Sequence, residues 1–342
     1  MSCPTGASRS STKPRSRATR SSSKAEIITT TAQLTAPAAA PLEDEGRRQG
    51  RRRRKPDRSQ TRIGYLFSSG YAILLIAFGI VPALYAVVLA FTKNGSFVGI
   101  DNFVKVFADY RFWPAVQHVA LFVAIWLISL IILVVLLALL VHAIRVRWLS
   151  SASRFLFYIP GALAGASSVM LWLFLLDPAV SPVAGLLNLF GLETFVQTVS
   201  LDNLPIIFTL IAFWAGAGGW IIIMYGALNN IPVEVMEAAR IDGAGPVKTA
   251  WHIQIPLMRK WISYMAVMSL AAGTQLFVEP RVLSQASKGV VPPDYSLNQL
   301  AYLFAFRQND FNGSAAISLL LLVVAAGLSA LFVFRGGLFE RE

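Results

Sequence analysis

The sequence predicts an all-α polytopic membrane protein with six transmembrane helices, and three observations carry that reading. Hydrophobic residues make up 55% of the 342 residues and charged ones only 14%, against about 25% charged in an ordinary soluble domain. Six stretches run without Asp, Glu, Lys or Arg over a length that crosses a bilayer, which takes about 20 apolar residues as helix. What polar sequence remains outside the N-terminal tail is too little to clothe a soluble globule with so many apolar helices. The expected spans are Leu66–Phe91, Val119–Ile144, Phe155–Leu176, Ile206–Leu228, Trp261–Val278 and Ser314–Phe334, the fifth being the shortest.

The chain divides into a basic tail, 1–62, and a membrane domain, 63–342. The net charge of +12 belongs mostly to the tail: residues 1–65 hold 15 Lys/Arg against five Asp/Glu. Ser, Thr, Arg, Ala and Pro dominate there, so the segment lacks the apolar residues that would offset chain-ordering entropy and is expected to be disordered. The run Arg51–Lys55 fits the basic flank of a first span and attraction to anionic lipid better than nucleic-acid binding, and no nucleic-acid partner is expected. The first apolar segment is longer than a signal-peptide core and lacks a clear small-residue cleavage site, so it is expected to stay as an anchor. Cys3 is the sole cysteine, which excludes an intramolecular disulfide.

Loop charge orients the spans. With the tail in the cytoplasm, Arg145, Arg147, Arg154, Arg240, Lys248, Arg259, Lys260, Arg335 and Arg341 also lie inside, nine basic residues against six in the outer loops. The third loop has Asp177, Glu193 and Asp202 without Lys or Arg. Both termini are therefore expected to be cytoplasmic.

Residues 229–260 form a polar loop between the fourth and fifth spans, and 237–256 within it read EAARIDGAGPVKTAWHIQIP. Pro232 and the early Glu234 and Glu237 suit the start of a short helix, about Pro232 to Asp242, and Gly243 suits its left-handed stop. Ala238 and Ala239 would present small side chains, which permit close approach of a partner surface. Gly243-Ala-Gly-Pro-Val-Lys248-Thr249 has the outline of a phosphate-binding loop, but Lys248 stands where that motif needs its second glycine and no βαβ context surrounds it. His118, His142 and His252 are scattered singly, so neither a metal site nor His-based catalysis is expected; no catalytic residue is assigned.

The spacing of Glu237, Ala238, Ala239, Gly243, Ile253 and Pro256 resembles the ATPase-docking loop of bacterial ABC-importer permeases, with Ile255 where Leu is usual. Phe97–Phe103, Leu276–Leu283 and Asn312–Ala316 are similar to segments of the sugar-uptake group, of the maltose and glycerol-phosphate kind, and the resemblance covers about 63–340. Ser284–Gly289 departs from that group's Thr-x-Gly-Gly-Pro. The resemblance implies the type I importer permease fold and a coupling loop carried by Glu237, Ala238, Ala239, Arg240, Asp242, Gly243, Ile253 and Pro256. It also implies a bacterial inner-membrane location and four kinds of partner: a second homologous permease, an ATP-binding cassette ATPase dimer, an extracytoplasmic solute-binding protein and membrane lipid. The chain itself would bind no cofactor, ATP and Mg being used by the ATPase. Polar and aromatic groups near span centres, where a lipid-facing polar group is costly, together with that group's span-four and span-five positions, mark a substrate pathway through Trp214, Gly216, Trp220, Ser269, Gly273, Gln275 and Leu276. Glu279 is expected to make a helix-end or loop contact. The function implied is passage of a sugar or oligosaccharide into the cytoplasm by alternating access. A polyol or glycerol phosphate is the alternative solute, and a non-transport scaffold or receptor the alternative outside this class.

Overall fold

The computed structural model describes residues 68–163 and 165–335. The expected basic tail with Arg51–Lys55, the start of the first span at Leu66, and Arg341 lie outside the described residues.

The described chain is helical but for one small hairpin. Helix α1 (Ser68–Ala90) is the first span. It widens to a π turn over Ile76–Ile80, where Pro82 has no N–H to return to the Phe78 carbonyl. Strands β1 (Thr92–Lys93) and β2 (Ser96–Phe97) pair antiparallel around Asn94 and Gly95, both at positive φ, the dipeptide that a tight two-residue hairpin demands. Helix α2 (Asp101–Ala108) leads into the second span, α3 (Phe112–Ala143).

The third span departs from the expected continuous helix Phe155–Leu176. It consists of α4 (Arg147–Ala162) and α5 (Gly165–Leu176), which meet at 101°. Pro160 cannot donate to the Leu156 carbonyl, the helix tightens to a 3-10 turn over Ile159–Ala162, and the chain turns there. Two short helices, α6 (Ala184–Leu189) and α7 (Phe195–Thr198), the latter closed by a Thr194–Gln197 capping box, lead to the fourth span, α8 (Leu204–Asn229).

The polar loop folds as α9 (Val233–Ile241), then α10 (Pro246–Thr249), a π turn over Ala250–Gln254 and α11 (Ile255–Leu257). The fifth span is also broken, into α12 (Arg259–Gly273) and α13 (Val278–Ala286), bent by 42°, where the sequence predicts one helix Trp261–Val278. The break is stabilised from α14 (Leu297–Phe306). At its N-terminal end Ser296 donates its hydroxyl to the Leu276 carbonyl at 2.6 Å, and Asn298 donates to that of Thr274 at 3.3 Å. Backbone carbonyls freed by the bend are thus satisfied inside the protein, as an apolar solvent requires. Helix α15 (Phe311–Arg335) is the sixth span.

Helices α3 and α8 form the centre. Their buried residues recur at three- and four-residue intervals along α3 (Val119, Phe122, Trp126, Leu130, Val134 and Ala138) and in both halves of α8 (Leu204, Phe208 and Ile211, then Ile221, Met224 and Leu228). That spacing keeps one stripe of each helix toward the other. Small residues allow close crossings, which carry much of the packing where lipid removes the usual hydrophobic drive. A Cβ on Gly273 of α12 would lie 2.6 Å from the Trp126 ring of α3, and one on Gly161 of α4 would lie 2.8 Å from the Ala215 carbonyl of α8. By contrast α1 buries only Ala90, packs against α15 along its second half, and leaves most of its apolar surface exposed.

The resembling segments Phe97–Phe103 and Asn312–Ala316 have a structural reason. The Asn102 amide donates to the Ala90 and Thr92 carbonyls at 2.9 Å, and the Asn312 amide to the Leu89 and Thr92 carbonyls at 3.0 and 2.6 Å. Two asparagines therefore satisfy the carbonyls at the end of α1 and tie it to α2 and α15. Gly313 follows because a Cβ there would meet Phe304 and Asp310 at 2.6 Å. Burial pushes the Asp310 carboxyl up, but hydrogen bonds from Lys105 and the Gly313 N–H outweigh it and hold Asp310 below the ordinary carboxylate value. Its stabilising contribution is in place at neutral pH and is lost as pH falls through that depressed value. Asn312→Ala removes the side-chain donor to the Leu89 carbonyl and one of the two to that of Thr92 and is expected to cost about 1–2 kcal/mol, read as a lower unfolding temperature in detergent; an unchanged transition would show the amide to be dispensable.

Candidate functional site

The loop joining α8 to α12 is the first candidate. Helix α9 starts one residue later than the sequence suggests: Pro232 is its N-cap, in an extended conformation, and Asp242 is its C-cap. The left-handed stop is present at Gly243, with φ +73°. The Ala244 N–H bonds the Ala239 carbonyl at 2.9 Å and the Gly243 N–H that of Arg240 at 3.1 Å, the paired closure of a Schellman motif. The reversal after α9 is therefore fixed by backbone bonding.

Ala238 and Ala239 do not share a role. Ala238 is exposed, whereas Ala239 is buried at 5% exposure, so the expected presentation of both alanines to a partner holds for Ala238 alone. Helix phase accounts for the difference, because adjacent residues on an α-helix point about 100° apart. Ala239, Thr249, Gln254 and Met258 face inward and anchor the loop, and the Thr249 hydroxyl donates to the Gly245 carbonyl at 3.0 Å. Glu237, Arg240, Asp242, Gly243 and Pro256 are exposed, and Ile253 is half-buried.

The same loop carries exposed apolar side chains that lie outside the matched motif positions. Ile241, Val247 and Trp251 stand 87%, 83% and 69% exposed within an otherwise polar loop. Solitary exposed apolar residues are ordinary, but several on one short ordered loop, interspersed along the sequence with the exposed Glu237, Arg240, Asp242 and Lys248, have the composition of a protein-docking patch. The sequence does carry a signal for them: apolar residues in the most polar internal stretch of the chain.

The expected substrate pathway divides between several places. Trp214 meets Trp172 edge-on at 6.1 Å and borders an apolar cavity of about 420 Å³ between the α4–α5 bend and α8. Trp220 packs edge-on against Tyr264 at 5.8 Å. Gly216 is exposed, and a Cβ added there would meet nothing within 4 Å. Ser269, Gly273 and Leu276 are buried, Gly273 at the crossing with Trp126 and Leu276 in the central core. Gln275 is exposed at the α12–α13 break and lines a different cavity, about 530 Å³, with Thr274, Phe277, Asn298 and Tyr302. Trp214 and Gln275 thus border separate cavities. Among the described residues no group of three or more His, Cys, Asp or Glu could hold a metal ion.

No family profile matches the chain. Curated relatives match along nearly their whole length. The multiple sugar-binding transport system permease protein MsmF of Streptococcus mutans is 27% identical over 284 residues, covering 81% of this chain and 96% of the relative. The sn-glycerol-3-phosphate transport system permease protein UgpA of Shigella flexneri is 29% identical over 284 residues, covering 78% and 91%. The arabinooligosaccharides transport system permease protein AraP of Halalkalibacterium halodurans is 24% identical, covering 83% and 90%. Among solved structures, a bacterial ABC transporter involved in import of the acidic polysaccharide alginate superposes with a TM-score of 0.72 at 18% identity, over 83% of this chain and 98% of that one. The fold is that of ABC-importer permeases, and the similar sequences are those of sugar and glycerol-phosphate permeases.

Proposed function

We propose that this chain is a membrane-spanning permease subunit of an ATP-driven ABC importer that carries a sugar or oligosaccharide into the cytoplasm. The observation that carries the reading is the loop between the fourth and fifth spans: a short helix closed by a Schellman motif, anchored from within by Ala239 and Met258, and presenting Ile241, Val247 and Trp251 among charged residues. Such a surface on a membrane bundle suits a folded partner, and similarity to sugar permeases supports an ATPase as that partner. The reading places both termini and this loop in the cytoplasm.

In this account two copies of an ATPase close on binding ATP and Mg, and α9 moves with them. Because the loop is stiffened by backbone bonds and continues through α10 and α11 into α12, its displacement is delivered to the broken fifth span. The bend at Thr274–Phe277 and the 101° bend of the third span are the places where the bundle can change shape while the unbroken helices α3 and α8 hold the centre. Solute, delivered by an extracytoplasmic binding protein, passes between inward and outward openings. This chain makes and breaks no covalent bond, and hydrolysis occurs in the partner. The apolar face that α1 leaves exposed fits lipid and a second, homologous permease.

Reconstitution into proteoliposomes with the second permease, the ATPase and the binding protein is expected to give sugar accumulation that stops when ATP or the ATPase is withheld. Accumulation that persists without the ATPase, or no accumulation of any carbohydrate by the complete set, would overturn the reading.

A further inference from the structure

The cavity of about 530 Å³ at the break in the fifth span is walled by three segments of the chain. Thr274, Gln275 and Phe277 come from the break itself, Asn298 and Tyr302 from α14, and Ser318 from α15, along which α12 packs. Helix geometry gives its depth. Gln275 lies about 20 Å along the fifth span from Lys260 at the start of α12, and Ser318 about 10 Å along α15 from Phe311 at the opposite face. In a hydrocarbon core about 30 Å thick, the cavity is inside the membrane, nearer the face away from the polar loop.

An uncompensated polar group at that depth is costly against lipid and turns to protein or to a water-filled path. Gln275 is exposed, and its side-chain amide makes no hydrogen bond to another described residue. The neighbouring groups have committed their donors. The Asn298 amide bonds the Thr274 carbonyl at 3.3 Å, the Thr274 hydroxyl that of Ala271 at 2.9 Å, and the Ser318 hydroxyl that of Ser314 at 3.0 Å. What they leave over is acceptors, the Asn298 carbonyl oxygen and the lone pairs of two hydroxyls, to which Gln275 adds both a donor group and an acceptor. The Tyr302 ring is held beside them by Phe277 at 5.8 Å, by Phe306 at 4.8 Å and by the Arg281 guanidinium at 4.8 Å. Among the described residues no charged side chain lines the cavity.

The geometry points to this cavity as a contact site for a hydroxyl-rich solute, a sugar or polyol, in its passage through the membrane domain, with Gln275 reading its hydroxyls; this rests on the importer reading above. A lining rich in free acceptors suits a molecule whose surface is hydroxyl donors, and Phe277 and Tyr302 give its C–H face an apolar wall. A few placed polar groups set in such a wall are the ordinary make-up of a small-molecule site. Without a charged lining, recognition there rests on hydrogen bonds and ring contacts.

The test uses the complete importer in proteoliposomes, with maltose, raffinose and arabinotriose as the first solutes offered. In a Cys3→Ser chain, Gln275→Cys should react with a charged, membrane-impermeant methanethiosulfonate, and the sugar that wild type imports should slow that reaction when presented on its binding protein. Gln275→Leu keeps the size of the side chain and removes its donors and acceptor. It should lower uptake by about tenfold, as expected for two net hydrogen bonds, while ATP hydrolysis stimulated by the loaded binding protein stays near wild type. Gln275→Asn should recover part of the uptake, and Tyr302→Phe should give a smaller loss. Gln275 is exposed, so these variants should fold, and co-purification of all subunits in equal amounts checks it. A thiol that reacts only with a lipid-soluble maleimide would place Gln275 against lipid, and one that reacts with neither reagent would place it under the second permease. Either result, labelling that the imported sugar does not slow, or wild-type uptake in Gln275→Leu would overturn the inference and leave the importer reading intact. A wild-type complex that imports no carbohydrate would instead remove the importer reading itself, and this inference with it.

Discussion

Gly218→Ala is expected to prevent formation of a stable membrane domain. A Cβ at that position would lie 2.1 Å from the Phe157 carbonyl oxygen, 2.7 Å from its carbon and 2.9 Å from the Tyr158 Cα. Every one of these atoms is backbone, so no side chain can swing aside, and α4 must leave α8 to admit one methyl group. Overpacking of a tight site costs about 1–3 kcal/mol and more where relief requires backbone movement. The crossing also fixes the bent third span against the central helix, and with it the cavity bordered by Trp172 and Trp214. The control is Gly219→Ala, one residue along the same helix, where nothing stands within 4 Å. That variant should be as stable as wild type or gain about 0.5–1 kcal/mol from helix propensity. Unfolding temperature and monodispersity in detergent are the readouts; equal behaviour of the two variants would mean that the close α4–α8 crossing is not a feature of the folded protein.

The second large effect is expected at the polar loop. Ile241→Asp places a charge on the most exposed of its apolar side chains, 87% accessible, and so leaves the fold of the isolated chain unchanged. In the assembled importer the same carboxylate would be buried without a partner, a cost typical of interface hot spots, about 2 kcal/mol or more. ATP hydrolysis should cease to respond to the loaded binding protein, and uptake should fall by about tenfold or more, with membrane insertion and thermal stability unaltered. Ala239→Trp must behave differently. Ala239 points inward, so a large side chain there damages the loop's own packing, and lower stability should accompany the lost coupling. Unimpaired coupling in Ile241→Asp would exclude this face from the ATPase contact.

The parts of the fold that depend on the length of apolar runs are legible in the sequence. Crossing a bilayer sets a minimum stretch free of charge, and α1, α8 and α15 appear within the predicted spans or extend them by up to three residues, while α3 starts seven residues before its predicted span, at Phe112. Gly243 is legible for a local reason, because a helix that ends before a reversal needs a residue tolerant of positive φ. The bends are not, although Pro160–Gly161 marks one. An apolar stretch with no charge looks the same whether it is straight or folded back on itself, and the angle depends on the close crossing of α4 and α8, made at Gly161 of α4 and Gly218 of α8. The α12–α13 break depends on Ser296 and Asn298, which lie 20 and 24 residues from the carbonyls they serve, a contact that no local pattern announces.

Side-chain direction sets the limit at the candidate sites. Ala238 and Ala239 are equivalent in composition and spacing, and only packing against the spans turns one inward. Trp214 and Gln275 look alike as polar or aromatic residues at span centres, yet one borders an apolar cavity against Trp172 and the other a mixed one against Asn298 and Tyr302. The sequence marks Glu279 as a helix-end residue, which it is. Its helix begins inside a broken span, and that leaves the residue half-buried instead of in an open loop.

Site-directed cross-linking from the polar loop tests the central claim most directly. Cys3 is the sole cysteine, so a Cys3→Ser chain carrying Ala238→Cys has one thiol, on the exposed face of α9. In membranes containing the complete importer, a short bifunctional maleimide linker to single cysteines on the ATPase surface is expected to join the two chains, with a yield that changes between nucleotide-free and ATP-bound states. Ala238→Cys that links only to the second permease, or to no protein at all, while the same reagent joins the two ATPase copies to each other, would contradict the assignment of this loop as the point where ATP binding reaches the membrane.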